Sequence, residues 1–263
     1  MVLITTAIGF RLGGGRDWAR LGWTLLATAL CAAASGTLNQ FIEARRDGLM
    51  TRTRTRPLPQ GRVGPGAALV FGLLCGEISL AIYFWKVNAL AATLASLSLG
   101  LYVLFYTPLK PLTPNSTWPG AAAGAIPPMI GWAAASGELT AGAWILFAIQ
   151  FFWQIPHFLA IFWLYREEYA KAGYRVLPVL DPKGERTAIQ ISLNSMALLG
   201  CSVLPVSLGM AGIGYGFGAL LLGTVFLAFG VKVGLSLRAV DARRLFLASI
   251  VYLPAVFGLL LIG

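Results

Sequence analysis

"GAWILFAIQFFWQIPHFLAIFWLY", residues 142–165, runs without a single Asp, Glu, Lys or Arg. As an α-helix it would be about 36 Å long, more than the ~30 Å of a bilayer's hydrocarbon core. Three further stretches have the same character: "LGWTLLATALCAAASGTL" (21–38), "ALAATLASLSLGLYVLFYTP" (89–108) and "LFLASIVYLPAVFGLLLIG" (245–263). So many runs exclude a signal peptide followed by one anchor. Only 11% of the 263 residues are charged, where a soluble domain carries about a quarter. The chain therefore reads as an all-α, polytopic membrane protein.

Hydropathy divides it into nine helices, at 1–14, 18–42, 66–85, 88–108, 117–136, 139–165, 187–211, 213–235 and 243–262, in one transmembrane domain spanning 1–263. The first is short for a span. This count puts loops 42–66, 108–117, 165–187 and 235–243 on one side. That side holds Arg45, Arg46, Arg52, Arg54, Arg56, Arg62, Lys110, Arg166, Lys171, Arg175, Lys183, Arg186, Lys232, Arg238, Arg243 and Arg244, which is 16 of the 20 basic residues. The positive-inside rule makes it cytoplasmic and places the N-terminus in the cytoplasm of a bacterial-type inner membrane. Topology thus accounts for most of the net charge of +10, and no nucleic acid is needed. Cys31, Cys75 and Cys201 lie singly inside apolar runs and read as small packing residues.

Topology does not account for the acids. Glu43, Asp47, Glu167, Glu168, Asp181 and Glu185 all fall on the same cytoplasmic side. Ion pairs, helix-end solvation or a metal are the available reasons. In "NQFIEARRDGLMTRTRTRPLPQGR" (39–62), Asn39, Glu43 and Asp47 step by four. On a helix that spacing stacks them on one face. One amide and two carboxylates suit Mg²⁺, which takes one or two carboxylates and completes its shell with water and phosphate oxygens. Arg52 and Arg56 follow at once, and Pro57 disfavours helix at Arg56. Carboxylates beside arginines suit a ligand that is both anionic and metal-bound, and diphosphate meets both conditions. A solvated helix end with salt-bridged acids is the plainer alternative.

The only histidine, His157, lies in the opening stretch. Eleven residues separate it from Glu168, three helical turns, which places it about 16 Å deeper. An ionisable group at that depth marks a candidate functional site. The alternative is a neutral histidine bonded to a neighbouring helix. Glu167, Glu168 and Lys171 stand at the helix exit.

These stretches resemble the UbiA superfamily of intramembrane prenyltransferases, and most of all its heme-farnesylating branch. The family's first motif is matched by Asn39, Glu43, Asp47, Met50, Arg52-Thr53 and Arg56-Pro57, with Glu43 where most members have Asp. "YTPLKPLTPNSTWPGAAAGAIPPMIGW" (106–132) is similar to the heme branch at Tyr106, Lys110, Thr113, Asn115, Gly124, Pro127, Pro128, Gly131 and Trp132. So are Pro156-His157-Phe158 and the run from Glu168 and Tyr169 through Ala172, Gly173 and Leu177 to Pro178-Val179. Tyr165 and Tyr169 stand where a second Asp-rich motif would place its aspartates.

The resemblance implies nine helices around a central cavity, with the active site on the cytoplasmic side. It implies farnesyl diphosphate and heme B as substrates, heme O and diphosphate as products, and a hand-over to a heme A synthase. Mg²⁺ on Asn39, Glu43 and Asp47 would neutralise the leaving diphosphate, with Arg52, Arg56, Lys110 and Lys171 as charged donors. His157, Glu167, Glu168 and Tyr169 would serve heme or a second acidic motif. Prenyltransferases of quinone or chlorophyll rings are the nearest rivals. An organic-anion transporter is further off, since no inverted repeat with matched broken helices is visible.

Overall fold

The computed structural model describes all 263 residues, and every regular element is helical. Nine long helices follow in order: α1 (Val2–Leu12), α2 (Trp18–Asp47), α3 (Pro65–Val87), α4 (Ala89–Leu109), α5 (Thr117–Ser136), α6 (Ala141–Leu164), α7 (Glu185–Ser207), α8 (Ile213–Ser236) and α9 (Ala239–Ile262). Seven of them, α2–α4 and α6–α9, are long and apolar enough to cross a membrane. The chain is thus multi-pass, but nine full spans are not confirmed. α1 has only 11 residues. α5 is built of Gly, Ala and Pro with most positions buried, so it behaves as an interior helix rather than a lipid-facing one. Elsewhere large apolar side chains such as Phe71, Trp85, Leu104, Phe217 and Leu221 are exposed, as lipid-facing surface requires.

The chain forms two compact units: Met1–Glu138 with Glu167–Val176, and Leu139–Arg166 with Leu177–Gly263. In the first unit α2 lies along α3, and α5 packs on α1 and α4. The α1–α5 crossing is close because both helices present glycine there. A Cβ on Gly131 would strike the Thr6 carbonyl oxygen, and one on Gly9 the Pro128 carbonyl oxygen. Small residues at a crossing let backbones approach where lipid offers no hydrophobic drive.

Local chemistry sets the helix starts. Asp17 caps α2 by accepting from the N–H groups of Ala19 and Arg20 at 2.9 and 3.1 Å. Asn88 caps α4 through the Ala91 N–H, and its amide also donates to the Ala133 carbonyl of α5 at 2.7 Å. Near its end α4 widens into a π-turn, Leu101–Tyr106. Pro108 follows and has no N–H to give back to the turn. The Thr107 hydroxyl instead donates to the Tyr102 carbonyl at 2.8 Å. Such π-turns gather at functional sites, and this one sets Thr107 for the contact with α2 described below.

In the second unit α7 packs on α6 and α8, and α9 packs on α6 and α8. Asp181 caps α7, accepting from the backbone N–H and the hydroxyl of Thr187 at 2.7 and 2.8 Å. That gives one of the acids a structural reason: it accepts from a first-turn N–H of α7. Asp241, at the start of α9, accepts from Ser236, Arg238 and Arg244 at 2.8–3.2 Å. Between α8 and α9, Leu237 adopts a left-handed backbone with φ 52°. A leucine tolerates this only when held, and the Trp163 indole N–H holds it by donating to the Leu237 carbonyl at 3.0 Å.

Candidate functional site

The stripe expected from the four-residue spacing exists. Asn39, Glu43 and Asp47 occupy successive turns at the end of α2, exposed by only 7%, 3% and 0%. Carboxylates so deeply buried must be paired or bound. Glu43 accepts from Lys110 Nζ at 2.7 Å, and Asp47 Oδ2 accepts from Arg56 Nη1 at 2.7 Å. Asn39 Nδ2 donates to the Thr107 hydroxyl at 3.0 Å, which ties the stripe to the π-turn of α4. The sharp turn after α2 is closed by the buried Thr53, whose hydroxyl donates to the Asp47 carbonyl at 2.9 Å. That turn brings Arg56 back over Asp47.

Lys110 sits among aromatic faces as well as beside Glu43. Its Nζ lies 4.8 Å from the Tyr106 ring centre and 5.2 Å from that of Tyr174. Burial pushes its pKa down, but Glu43 and the tyrosines outweigh burial, so the net shift is upward and the ammonium stays charged. Tyr174 was not singled out in the sequence. Its hydroxyl is buried and closes no hydrogen bond, although it lies beside Glu43. Burial first, and the Glu43 charge second, push that hydroxyl's pKa up, so it stays a protonated donor. Arg46 covers the other part of this ring, 5.9 Å from its centre. The lone tyrosine after Gly173 in "KAGYR" is the only signal the sequence offers for it. The loop is pinned in place because the Arg175 N–H donates to the Lys110 carbonyl at 3.1 Å.

The expected diphosphate donors divide. Arg52 and Arg56 are brought to the stripe's outer end, Lys110 to its middle. Arg52 Nη2 donates to the Tyr169 hydroxyl at 3.3 Å, and its backbone N–H to Glu168 Oε2 at 3.2 Å. Glu168 and Tyr169 therefore join the arginine run. Glu167 and Lys171 point to solvent from the same short helix, Arg166–Lys171.

His157 requires a correction. The sequence reading ended this helix at residue 165 but measured the depth of His157 by helical rise as far as Glu168. The structure ends α6 at Leu164, and the chain bends at Tyr165, where φ is −114° and ψ 23°. His157 lies seven residues before that end, so about 10 Å inside it, and the 16 Å depth measured to Glu168 does not hold. His157 belongs to the second unit and Glu168 to the first, so the two do not form one constellation.

For a cation, the fit rests on one atom. Asp47 Oδ1 is buried and has no hydrogen-bond partner. A buried acceptor left without a partner costs about 1–3 kcal/mol unless something binds it. With Glu43 and the Asn39 amide on the same face, the donor set suits a hard divalent ion that keeps some water. No group of three or more His, Cys, Asp or Glu side chains gathers anywhere to hold a metal, so Glu167 and Glu168 complete no second site by protein ligands alone. One turn deeper on α2, an apolar cavity of about 240 Å³ opens in the same unit, lined by Thr28, Cys31, Ser35, Tyr83, Tyr102 and Pro127 among others.

Fold and site define a class: a polytopic helical membrane protein with a buried carboxylate–cation cluster at its helix ends and an apolar cavity beneath. The model of the UbiA prenyltransferase family matches residues 1–253, and the chain belongs to that family. Protoheme IX farnesyltransferase of Solibacter usitatus is 43% identical to it over 273 residues, covering 100% of this chain and 94% of that one. The mitochondrial protoheme IX farnesyltransferase of Arabidopsis thaliana is 38% identical over 265 residues, covering 99% and 62%. Among solved structures, a digeranylgeranylglyceryl phosphate synthase superposes with a TM-score of 0.84 at 16% identity, covering 100% and 92%. A UbiA homologue from Archaeoglobus fulgidus bound to GPP and Mg²⁺ superposes with 0.69 at 17% identity, covering 98% and 94%. The two structures share the fold.

Proposed function

We propose that this protein transfers the farnesyl group of farnesyl diphosphate to a vinyl group of heme B, with addition of water, giving heme O and diphosphate. The observation that carries this reading is the likeness over the whole chain, at 43% identity, to proteins named protoheme IX farnesyltransferase. The buried charge cluster on α2 supports the diphosphate half of it.

Asn39, Glu43 and Asp47 would hold Mg²⁺, which supplies neutralising charge for a departing diphosphate. Lys110 and Arg56 are fixed at these carboxylates by ion pairs of 2.7 Å. With the carboxylates engaged by a cation, both would serve as charged donors to phosphate oxygens. Arg52 stands at the outer end, oriented by Tyr169 and Glu168, to receive the distal phosphate. The Tyr174 hydroxyl has a proton to donate and closes no hydrogen bond, with only the Glu43 carboxylate beside it, so it would hydrogen-bond the bridging or leaving oxygen once Glu43 is engaged. The carbon chain runs from there into the apolar cavity beneath Asn39, which keeps water from the allylic cation. A heme vinyl group attacks C1 of the prenyl chain, and water captures the cation left beside the porphyrin. No side chain need form a covalent bond to substrate. Lys171 and Glu167, both exposed, would serve only in an outer role.

The cytoplasmic crowding of basic residues supports an inner-membrane location with the N-terminus inside, and heme O would pass on to a heme A synthase. The test is a mass spectrum of hemes extracted after expression in a host lacking heme O. A heme B derivative heavier by one farnesyl group and one water supports the reading. An unchanged heme pool, with purified protein that consumes farnesyl diphosphate on a quinone precursor instead, overturns it.

A further inference from the structure

His157 is held in the second unit with unusual completeness. Its ring stacks on Trp153 with centres 4.8 Å apart and planes 21° apart, and Phe246 lies at 5.2 Å. Its Nδ1 is 2.7 Å from the Ser249 hydroxyl oxygen. The Trp153 indole N–H donates to the Ser249 carbonyl at 2.7 Å, which fixes both residues against α9. The direction of the His157–Ser249 bond follows from counting protons. Ser249 has one hydroxyl hydrogen and donates it to the Phe246 carbonyl at 2.5 Å. Toward His157 its oxygen can then only accept. Nδ1 must carry the imidazole proton, and in the neutral ring that leaves a lone pair on Nε2.

No partner meets Nε2: the one hydrogen bond of this side chain is that from Nδ1. His157 is half-buried, neither in bulk solvent nor sealed in a core. Nε2 is not sealed away among the buried unpartnered atoms, so it can be reached from outside the chain. A purely structural histidine would gain by turning Nε2 to a partner. Here ring plane, tautomer and direction are all fixed, and the fixed product is a lone pair aimed at nothing in the chain.

We infer that His157 Nε2 is an axial ligand to the iron of the heme substrate, with Ser249 as the residue that sets its tautomer. The inference rests on the proposed heme substrate. Iron accepts an imidazole lone pair, and a ligating histidine ordinarily donates its other N–H to a fixed oxygen, the arrangement present here. In the neutral ring the same tautomer gives a heme propionate, itself an acceptor, no proton on Nε2 to bind. The bond is dative and reversible, with no change of oxidation state, so the product can leave by ligand exchange. Phe158, with its ring centre 5.9 Å from that of His157, adds a flat apolar neighbour for a macrocycle.

The test compares two probes on the full-length protein in detergent, ferric protoheme IX and metal-free protoporphyrin IX. The parent should bind heme with an imidazole-type visible spectrum and prefer it over the metal-free ring. His157→Ala should weaken heme binding about tenfold or more while metal-free protoporphyrin binds as it does to the parent. His157→Gly should recover the parent spectrum on addition of imidazole. Should the alanine and glycine variants not fold, Ser249→Ala keeps the backbone carbonyl that receives Trp153 and removes only the tautomer anchor. It should shift the Soret band and narrow the heme preference. Equal weakening of both probes in His157→Ala, or an unchanged spectrum in Ser249→Ala, overturns the assignment and returns His157 to packing. Farnesyl transfer by the parent in the same preparation separates the two levels. A parent that makes no farnesylated heme overturns the functional reading. A productive parent with an unaltered heme preference in His157→Ala overturns the iron ligand alone.

Discussion

Removing the Lys110 ammonium while keeping its bulk, as Lys110→Met, tests whether the charge cluster is a functional arrangement or a stabilising one. At the observed 2.7 Å and an effective dielectric of about 20, attraction to Glu43 amounts to about 6 kcal/mol. Both side chains are nearly sealed, at 9% and 4% exposure, and withdrawing two such charges from water costs several kcal/mol each. The pair as a whole therefore contributes close to nothing relative to an apolar pair of the same shape. The single variant is different. It leaves Glu43 buried and unpaired, at a cost of about 3–5 kcal/mol, capped by the carboxyl's ability to take up a proton. Such a loss lowers Tm by on the order of 10 °C. The double variant Glu43→Gln/Lys110→Met removes both charges and should recover most of the drop. Farnesyl transfer should be abolished in both, because each lacks the Lys110 phosphate donor and the double variant also lacks the Glu43 carboxylate for the cation. The assays are thermal unfolding in one detergent and transfer from labelled farnesyl diphosphate. If the double variant is destabilised by the sum of the single effects, the two residues are not coupled and the reasoning fails. If either variant transfers farnesyl at the parent rate, the cluster is structural.

Further outcomes follow from the same geometry. Asp47→Asn should fold and lose about a hundredfold or more of the transfer rate, with the need for added Mg²⁺ rising; a parent-like rate at limiting Mg²⁺ would remove Asp47 from the cation site. Arg52→Lys keeps charge but loses the planar fork toward phosphate, so KM for farnesyl diphosphate should rise while kcat changes little; unchanged kinetics would leave Arg52 a topological residue. Because the Lys110 pKa is raised on folding, its stabilisation is complete below the ordinary lysine value of 10.5 and is lost as pH rises through the raised value. The stability gap between parent and Lys110→Met should therefore hold constant from neutral pH to that point and shrink above it. A gap that closes below pH 9 would contradict this. Gly131→Val forces α1 off α5 and should cost about 3 kcal/mol, read as a lower Tm, where Gly22→Val, with open space around it, should cost far less.

What the sequence disclosed and what it hid divide by distance along the chain. Asn39, Glu43 and Asp47 are neighbours in the i, i+4 sense, so helical periodicity alone aligns them, and the structure puts them on one buried face. The partner of Glu43 is Lys110, 67 positions away, and no local pattern predicts that pairing. Tyr174 was missed for the same reason: its place over Lys110 depends on the loop after Gly173 folding back, not on anything in its own neighbourhood. The end of α6 at Tyr165 was legible from where the apolar run stops, but the depth of His157 was measured past that end to Glu168, where the helical rise no longer applies. α5 was legible as a helix, and its glycines, alanines and prolines place it in the interior. His157 shows the limit most sharply. Its position in α6 was legible, but which ring nitrogen carries the proton was not. The tautomer is decided by Ser249, 92 positions on, and by where that hydroxyl spends its single proton. Which ring nitrogen is left without a proton thus turns on one hydrogen bond that only the folded chain can form.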